Sequence, residues 1–249
     1  MKNGDIDKSI EDLDLDLFSE IDSQTTDDDR TMLLAIQRAV RRGGEYKYLE
    51  IGSYHGGTLQ PHLLDSKCSK IFSIDKRPDI TDDVRGEQQV YKDNSKEHML
   101  ELLKAVSADG IAKITTFECD ASEIDGSAIQ PRPDICFIDG EHTDKAAYED
   151  FQSCLKIAAA DCTIVFHDSN LVFGGIKRVI TYLKEKNVEH TAMKLTGSVF
   201  VMALGNSPVI EDKFLRSVSQ NLALFFLKSS VLLWQRKRRI RRRLKRARI

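Results

Sequence analysis

The chain has no closely paired cysteines, no long unbroken apolar run, and no acid from Lys213 to its last residue. Its five cysteines, Cys68, Cys119, Cys136, Cys154 and Cys162, lack the C-x-x-C spacing of a metal site. Cys119, Cys136 and Cys162 lie in or beside apolar, strand-like stretches, so buried reduced thiols and a reducing compartment are expected. The start, Met-Lys-Asn-Gly-Asp, has no apolar core of a secretory signal, which makes a cytoplasmic location the expectation. The longest apolar stretch, Leu222 to Trp234, is interrupted by Lys228, Ser229 and Ser230. It falls short of the ~20 apolar residues that cross a bilayer.

What is present is the composition of a folded domain, with 249 residues, 41% apolar and 31% charged. The formal net charge of −2 averages two opposite ends. Acids dominate from Asp5 to Asp29, with Lys2 and Lys8 the only bases before Arg30, and Arg236 to Arg248 is mostly Arg and Lys. Three regions are expected: an acidic leader over 1–29, a folded domain over 30–206, and an amphipathic helix with a basic tail over 207–249. The leader, with Leu13, Leu15, Leu17 and Phe18 spaced through it, reads either as disordered or as docking in a short element.

Between the ends, strands and helices alternate. Thr26-Asp-Asp-Asp reads as a helix start, and Met32, Leu33, Ile36, Ala39 and Val40 follow at helical spacing, predicting a helix over 28–42 closed by Gly43-Gly44. Strands are predicted at 46–51, 70–74, 114–119, 134–138 and 162–166, and helices at 58–64, 95–106, 145–158 and 175–186. The polar stretch 76–94 reads as a loop or lid. Two β-prone runs, 190–195 and 198–203, flank Thr196-Gly197 and predict an antiparallel hairpin. The fold class is therefore α/β: a Rossmann-like, doubly wound, mostly parallel seven-stranded sheet finished by a C-terminal antiparallel hairpin.

At the first strand-to-helix junction stands Glu50-Ile-Gly-Ser-Tyr-His-Gly-Gly57. Gly52 suits a sharp exit from the strand, and Gly56 and Gly57 suit close approach of a ligand and a tight helix start. A dinucleotide fingerprint is the competing reading, but Tyr54 occupies its second glycine, where a side chain would obstruct a pyrophosphate. The spacing G-x-x-x-G-G behind an acid matches the methyltransferase form, with Gly52, Ser53, Tyr54, Gly56 and Gly57 around the cofactor. Glu50 is expected to pair with the cationic end of a bound amino acid. Asp75 closes the second strand, where it would take hydrogen bonds from ribose hydroxyls, and Asp120 follows the third, where it would reach an adenine amino group.

Two further segments, Pro133-Asp-Ile-Cys-Phe-Ile-Asp-Gly-Glu-His142 and Thr163-Ile-Val-Phe-His-Asp-Ser-Asn170, complete a pattern. Over residues 45–205 the chain resembles the class I S-adenosylmethionine-dependent methyltransferases that carry an F-I-D-G-x-H motif, including macrocin-type sugar O-methyltransferases. The F-I-D-G-x-H and F-H-D pair is fairly specific to that group; the glycine loop marks only the superfamily. The resemblance implies S-adenosylmethionine as cofactor and methyl transfer, usually to oxygen. It also implies a magnesium ion held by Asp139 and Asp168, with Ser169 or Asn170 as an extra oxygen ligand, and His142 as general base. Asp139 is placed beside the cofactor as well. These residue types suit the chemistry, since a hydroxyl is a poor nucleophile until a base removes its proton or a hard cation acidifies it. The blander reading keeps Asp139 and His142 as turn residues and lets His167 fill a polar pocket at the strand end. His55 reads as structural or cofactor-adjacent.

The implied acceptor is a small hydroxylated molecule, such as a sugar or a glycan precursor. The alternatives are an N-methyltransferase or nucleic-acid methyltransferase recruited by the basic tail, although the N/D-P-P-Y/F motif of amino-group DNA methylases is missing. A non-catalytic scaffold with the same fold is the remaining reading. The C-terminal run, apolar with a Trp at its end and then densely cationic, resembles an interfacial anchor and favours an anionic membrane surface over nucleic acid. Peripheral attachment to the inner face of the membrane is the matching location. A third partner for the tail is the acidic leader, within the chain or across a homo-oligomer.

Overall fold

The computed structural model describes residues 3–82 and 88–246, with side chains described from 5 to 81 and from 90 to 235. In chain order the first elements are α1 (Asn3–Glu11), α2 (Asp27–Arg41), β1 (Tyr46–Ile51), α3 (Gln60–Leu64) and β2 (Cys68–Ile74). They are followed by β3 (Ile80–Asp82), β4 (Gln88–Val90), α4 (Lys96–Val106), β5 (Ile114–Phe117), β6 (Ile135–Ile138) and α5 (Asp144–Ile157). The chain then forms β7 (Thr163–Phe166), α6 (Phe173–Glu185), β8 (His190–Lys194), β9 (Phe200–Leu204), α7 (Lys213–Val218) and α8 (Leu222–Arg246).

Seven strands make one sheet in the order β5-β2-β1-β6-β7-β9-β8. All neighbours are parallel except β9, which runs antiparallel to both β7 and β8. The expected sheet with one reversed strand is thus the observed one. The central strands are apolar on both faces because helices cover both, and alternate side chains enter different cores. Leu49, Cys136, Ile138, Ile164 and Phe166 pack toward α5 and α6. Tyr48, Ile135, Phe137 and Val165 pack with α2 and α4 on the other side. Cys68, Cys136, Cys154 and Cys162 are buried, Cys119 is half-buried, and all five are unpaired thiols.

The leader docks. Ile6 and Ile10 of α1, with Leu17 and Phe18 of the following turn, bury against Leu34 of α2. Gln60 at the start of α3 anchors the backbone behind them: its Oε1 accepts from the N–H groups of Glu20 and Ile21 at 3.0 Å each, and its Nε2 donates to Phe18 and Ile21 carbonyls. The leader's Asp7 and Glu11 pair with Arg41 and Arg42 of α2. The apolar residues spaced through the acidic run are the reason, since they complete a small core that the acids only rim.

The 76–94 stretch, expected as a loop, contains a two-stranded antiparallel hairpin in which Ile80 faces Val90. Its composition hid it, because two three-residue strands give too little alternation to detect.

Candidate active site

The order of the sheet reverses between β1 and β6, and in an open α/β sheet the crevice beyond that point is where ligands bind. A cleft of about 540 Å³ opens there, walled by Gly52, Tyr54, Asp75, Asp120, Asp139 and Asp150 among others. A second hollow of about 40 Å³ lies beside it, lined by Ser23, Thr25, Ser53, Thr58 and His142. Gly52, Tyr54, Tyr91 and Asp139 line both.

Gly52 leaves β1 at φ +88°, and a Cβ there would lie 2.7 Å from the Asp139 carbonyl carbon and nearer still to its oxygen. Only glycine permits the ends of β1 and β6 to approach in this way. Gly56 and Gly57 are closely hemmed by protein, and Gly57 also lines the smaller hollow. A Cβ on Gly56 would meet Leu103 of α4 at 2.9 Å, and one on Gly57 would meet the Asp22 carbonyl at 2.6 Å. Their smallness serves helix packing and the docked leader; Gly56 lines neither hollow. Ser53 is buried and accepts a hydrogen bond from Ser73. Tyr54, at φ +44°, stacks on His55 with ring centroids 3.7 Å apart.

Asp75 stands at the end of β2, almost fully buried. It accepts from the Tyr54 N–H and the Arg77 N–H at 2.8 Å each, so it holds the glycine loop in place while facing the cleft. Asp120 caps the next turn through Ser122 and pairs with Lys76 at 2.5 Å. The Lys76 ammonium, with these hydrogen bonds, brings its carboxyl down to about 2. Asp150 of α5 also faces the cleft, and burial together with the nearby Asp120 pushes its carboxyl up to about 7. Nothing in its helical context distinguishes it in the sequence.

Glu50 does not reach the cleft. Its carboxyl is fully buried and accepts from Tyr48 Oη at 2.6 Å and Thr58 Oγ1 at 2.8 Å. Burial raises it to about 8, so it is predominantly protonated at neutral pH and is an internal hydrogen-bond hub, not the expected partner of an ammonium. The unfolded chain ionises near 4.5 while the fold keeps its proton to about 8, so the wild type loses stability across that window. Glu50→Gln, which keeps the shape of the protonated acid, therefore gains thermal stability relative to wild type as pH rises from 4.5 to about 8. A constant difference over that window would mean an ionised Glu50 and restore the ammonium role.

At the ends of β6 and β7 four titratable groups form a line that continues to the leader side of the domain. Asp139 follows β6, and the turn after it is closed by Thr143, whose hydroxyl accepts from the Ala146 N–H to start α5. That turn brings His142 back over Asp139, with Nε2 3.6 Å from Asp139 Oδ1 and 3.4 Å from Asp168 Oδ2. Asp168 itself takes a left-handed conformation at φ +44°, a placement that aspartate tolerates better than most residues. His167 Nδ1 lies 2.8 Å from Asp139 Oδ1, and its Nε2 faces Asp29 at 3.4 Å, an ion-pair distance without an aligned hydrogen bond. Asp29, in the first turn of α2, is fixed by Thr26 Oγ1 at 2.6 Å and by Ser198 N–H at 2.6 Å.

The electrostatics follow from this order. Burial works to lower His167, but carboxylates on both ring nitrogens outweigh it and hold the imidazolium well above the ordinary range. Burial likewise works against a charged Asp139, yet His167 and His142 keep it below the usual carboxylate value. His142 is raised above an ordinary histidine because Asp139 and Asp168 outweigh the burial that would lower it.

The magnesium site expected from Asp139, Asp168 and Asn170 does not fit these residues. Magnesium takes one or two carboxylates and completes its shell with water, but here His142 Nε2 occupies the space between the two carboxylates and His167 engages Asp139 as well. Ser169 is buried and Asn170 exposed, and neither lines the cleft or the smaller hollow. Among the described residues no group of three or more His, Cys, Asp and Glu side chains is arranged to hold a metal ion.

Asp29 and the leader residues 22–25 are the parts of the site that sequence reasoning missed. Asp29 reads as a helix-capping acid, which it is, and nothing local signals that the capping oxygen also faces His167 while the other accepts from Ser198. His167 was visible as a polar residue at a strand end, without its partners.

A family model described as a methyltransferase domain matches residues 49–169, which include the glycine loop and both strand-end motifs. No curated protein matches the chain. Among solved structures, the O-methyltransferase TomG from Streptomyces achromogenes in complex with SAM shares 15% identity with a TM-score of 0.51, over 82% of this chain and 90% of its own. The O-methyltransferase NovP shares 10% identity with a TM-score of 0.52, over 70% and 77%. Cofactor-bound Rv0187 from MTB shares 12% with a TM-score of 0.51, over 82% and 90%. At such identities these likenesses concern the fold.

Proposed function

We propose that this chain, a methyltransferase by the domain matched over residues 49–169, is a class I S-adenosylmethionine-dependent enzyme that methylates a hydroxyl of a small acceptor, such as a sugar or another hydroxylated metabolite, with His142 as general base. The observation that carries the reading is the position of His142 Nε2, held between Asp139 and Asp168 beside a cofactor-sized cleft. Bound S-adenosylmethionine supplies an electrophilic methyl group. Gly52, Tyr54, Asp75 and Asp120 would hold it, since they line the cleft with backbone, an aromatic ring and two carboxylates.

His142 accepts the hydroxyl proton as the acceptor oxygen attacks, and the resulting imidazolium is stabilised by Asp139 and Asp168. His167 and Asp29 act one step behind: they keep Asp139 ionised and oriented so that His142 meets a charged neighbour. The protein's remaining task is alignment, because methyl transfer is an in-line displacement. The smaller hollow beside His142 has a polar wall of Ser23, Thr25 and Thr58, in which Ser23 and Thr25 bond each other and Thr58 bonds Glu50. No step requires a metal ion, in keeping with the donor arrangement.

Calorimetric titration of S-adenosylmethionine, with and without magnesium, tests the cofactor half of the reading. Asp75→Ala removes a carboxylate that bonds two backbone N–H groups and faces the cleft. Such charge-assisted bonds are worth ~1.5–3 kcal/mol, so affinity should fall about 10- to 100-fold. Magnesium should leave the heat and affinity unchanged. Absence of binding by folded wild-type protein would overturn the proposal, and a magnesium requirement would overturn its metal-free form.

A further inference from the structure

We propose that α8 is an interfacial anchor for an anionic lipid surface, seated on the domain by one face and presenting the opposite face to the bilayer. This inference stands on α8 alone and is independent of the methyl acceptor. Phe225 and Ser229 are buried, and Leu222, Phe226 and Leu233 pack against the core on the same side. The Phe225 and Phe226 rings lie 5.8 and 6.2 Å from that of Phe200 on β9, and the Lys177 ammonium of α6 stands 5.2 Å over Phe226. These contacts fix how the helix is rotated.

With that face docked, Leu224, Leu227, Val231 and Trp234 recur at helical spacing on the other side. Together with Leu232 they are between 44% and 62% exposed. Five of the seven large hydrophobic side chains exposed among the described residues are therefore confined to eleven residues of one helix. Single exposed apolar residues are ordinary, but a stripe of them marks an interaction surface. The helix then continues to Arg246, and residues 236–248 hold ten Lys and Arg and no acid.

Apolar stripe and cationic run adjoin on one helix, the composition of a helix that lies in a headgroup layer. Phosphate groups of a nucleic acid would satisfy the basic run but leave the leucines without a partner, so the charge and the stripe together favour lipid. No helix among the described residues is long and apolar enough to cross a membrane, so α8 would lie along the surface.

The only tryptophan of the chain, Trp234, sits at the end of the stripe and reports its surroundings directly. Full-length protein is mixed with vesicles of phosphatidylcholine alone or of phosphatidylcholine and phosphatidylglycerol in equal parts, and both sedimentation and tryptophan emission are followed. Co-sedimentation with the anionic vesicles and a blue shift are expected, with little of either on the neutral ones. L227E/V231E, which alters only the exposed face, and R241E/R242E/R243E should each weaken vesicle binding at least tenfold; circular dichroism and S-adenosylmethionine affinity should stay at wild-type levels. Failure to bind anionic vesicles overturns the proposal. So does tight binding of a DNA or RNA oligonucleotide that L227E/V231E leaves unchanged while vesicles compete poorly. A dimer dissolved by L227E/V231E, without vesicle binding, would assign the stripe to a second copy instead.

Discussion

His142→Gln lowers the rate of methyl transfer by about 10²- to 10⁴-fold, the usual contribution of a positioned general base, and leaves S-adenosylmethionine affinity unchanged within about twofold. The separation is expected because His142 lines only the smaller hollow, outside the main cleft. The pH profile carries the sharper signature. His142 must be unprotonated to accept a proton, and Asp139 and Asp168 raise it above an ordinary histidine. The rising limb of kcat should therefore lie above 6.5 and move downward in Asp168→Asn, which removes one of the two charges responsible. A variant at His142 with near-wild-type turnover would dismiss it as the base. An Asp168→Asn profile without a shift would dismiss the pairing.

Gly52→Ala should weaken the cofactor about 100-fold and destabilise the fold as well. Two effects add at this position. The residue sits at φ +88°, costing ~1–2 kcal/mol for a side chain. The added methyl would lie 2.7 Å from the Asp139 carbonyl carbon and 2.9 Å from Gly140 Cα, and displacement of well-packed backbone costs ~1–3 kcal/mol. About 3 kcal/mol in all is about a hundredfold in affinity if the loop bears it. Because the displaced backbone carries Asp139, turnover at saturating cofactor should fall too. Titration calorimetry, thermal denaturation and kcat measure the three losses. Retention of wild-type affinity would show that the close approach of β1 and β6 is unimportant to the cofactor cleft.

Much of this was legible before any fold was in view. The predicted first strand has the bounds of β1, and the hairpin of β8 and β9 was expected within a residue or two of where it lies. The strand-end acids Asp75, Asp120 and Asp139 all reach the cleft. Each depends on alternation, spacing or a glycine within a few residues. Glu50 shows the limit: its position in the motif is clear, but its direction depends on Tyr48 and Thr58, which draw it inward. Gly56 and Gly57 suit a ligand on spacing alone, while the fold also sets Leu103 and Asp22 against them, and Gly57 lines the smaller hollow.

Local periodicity and backbone sterics suffice to read the order of strands and helices, the glycine turn and the set of polar groups at the strand ends from the residues alone. It took the folded chain to bring Asp29 of the leader-side helix to His167, to set His142 where a magnesium ion was expected, and to wall the smaller hollow with the end of the acidic leader. Such contacts arise where the sheet and its covering helices bring distant segments together, and a carboxylate's partner across that gap leaves no mark on the residues beside it.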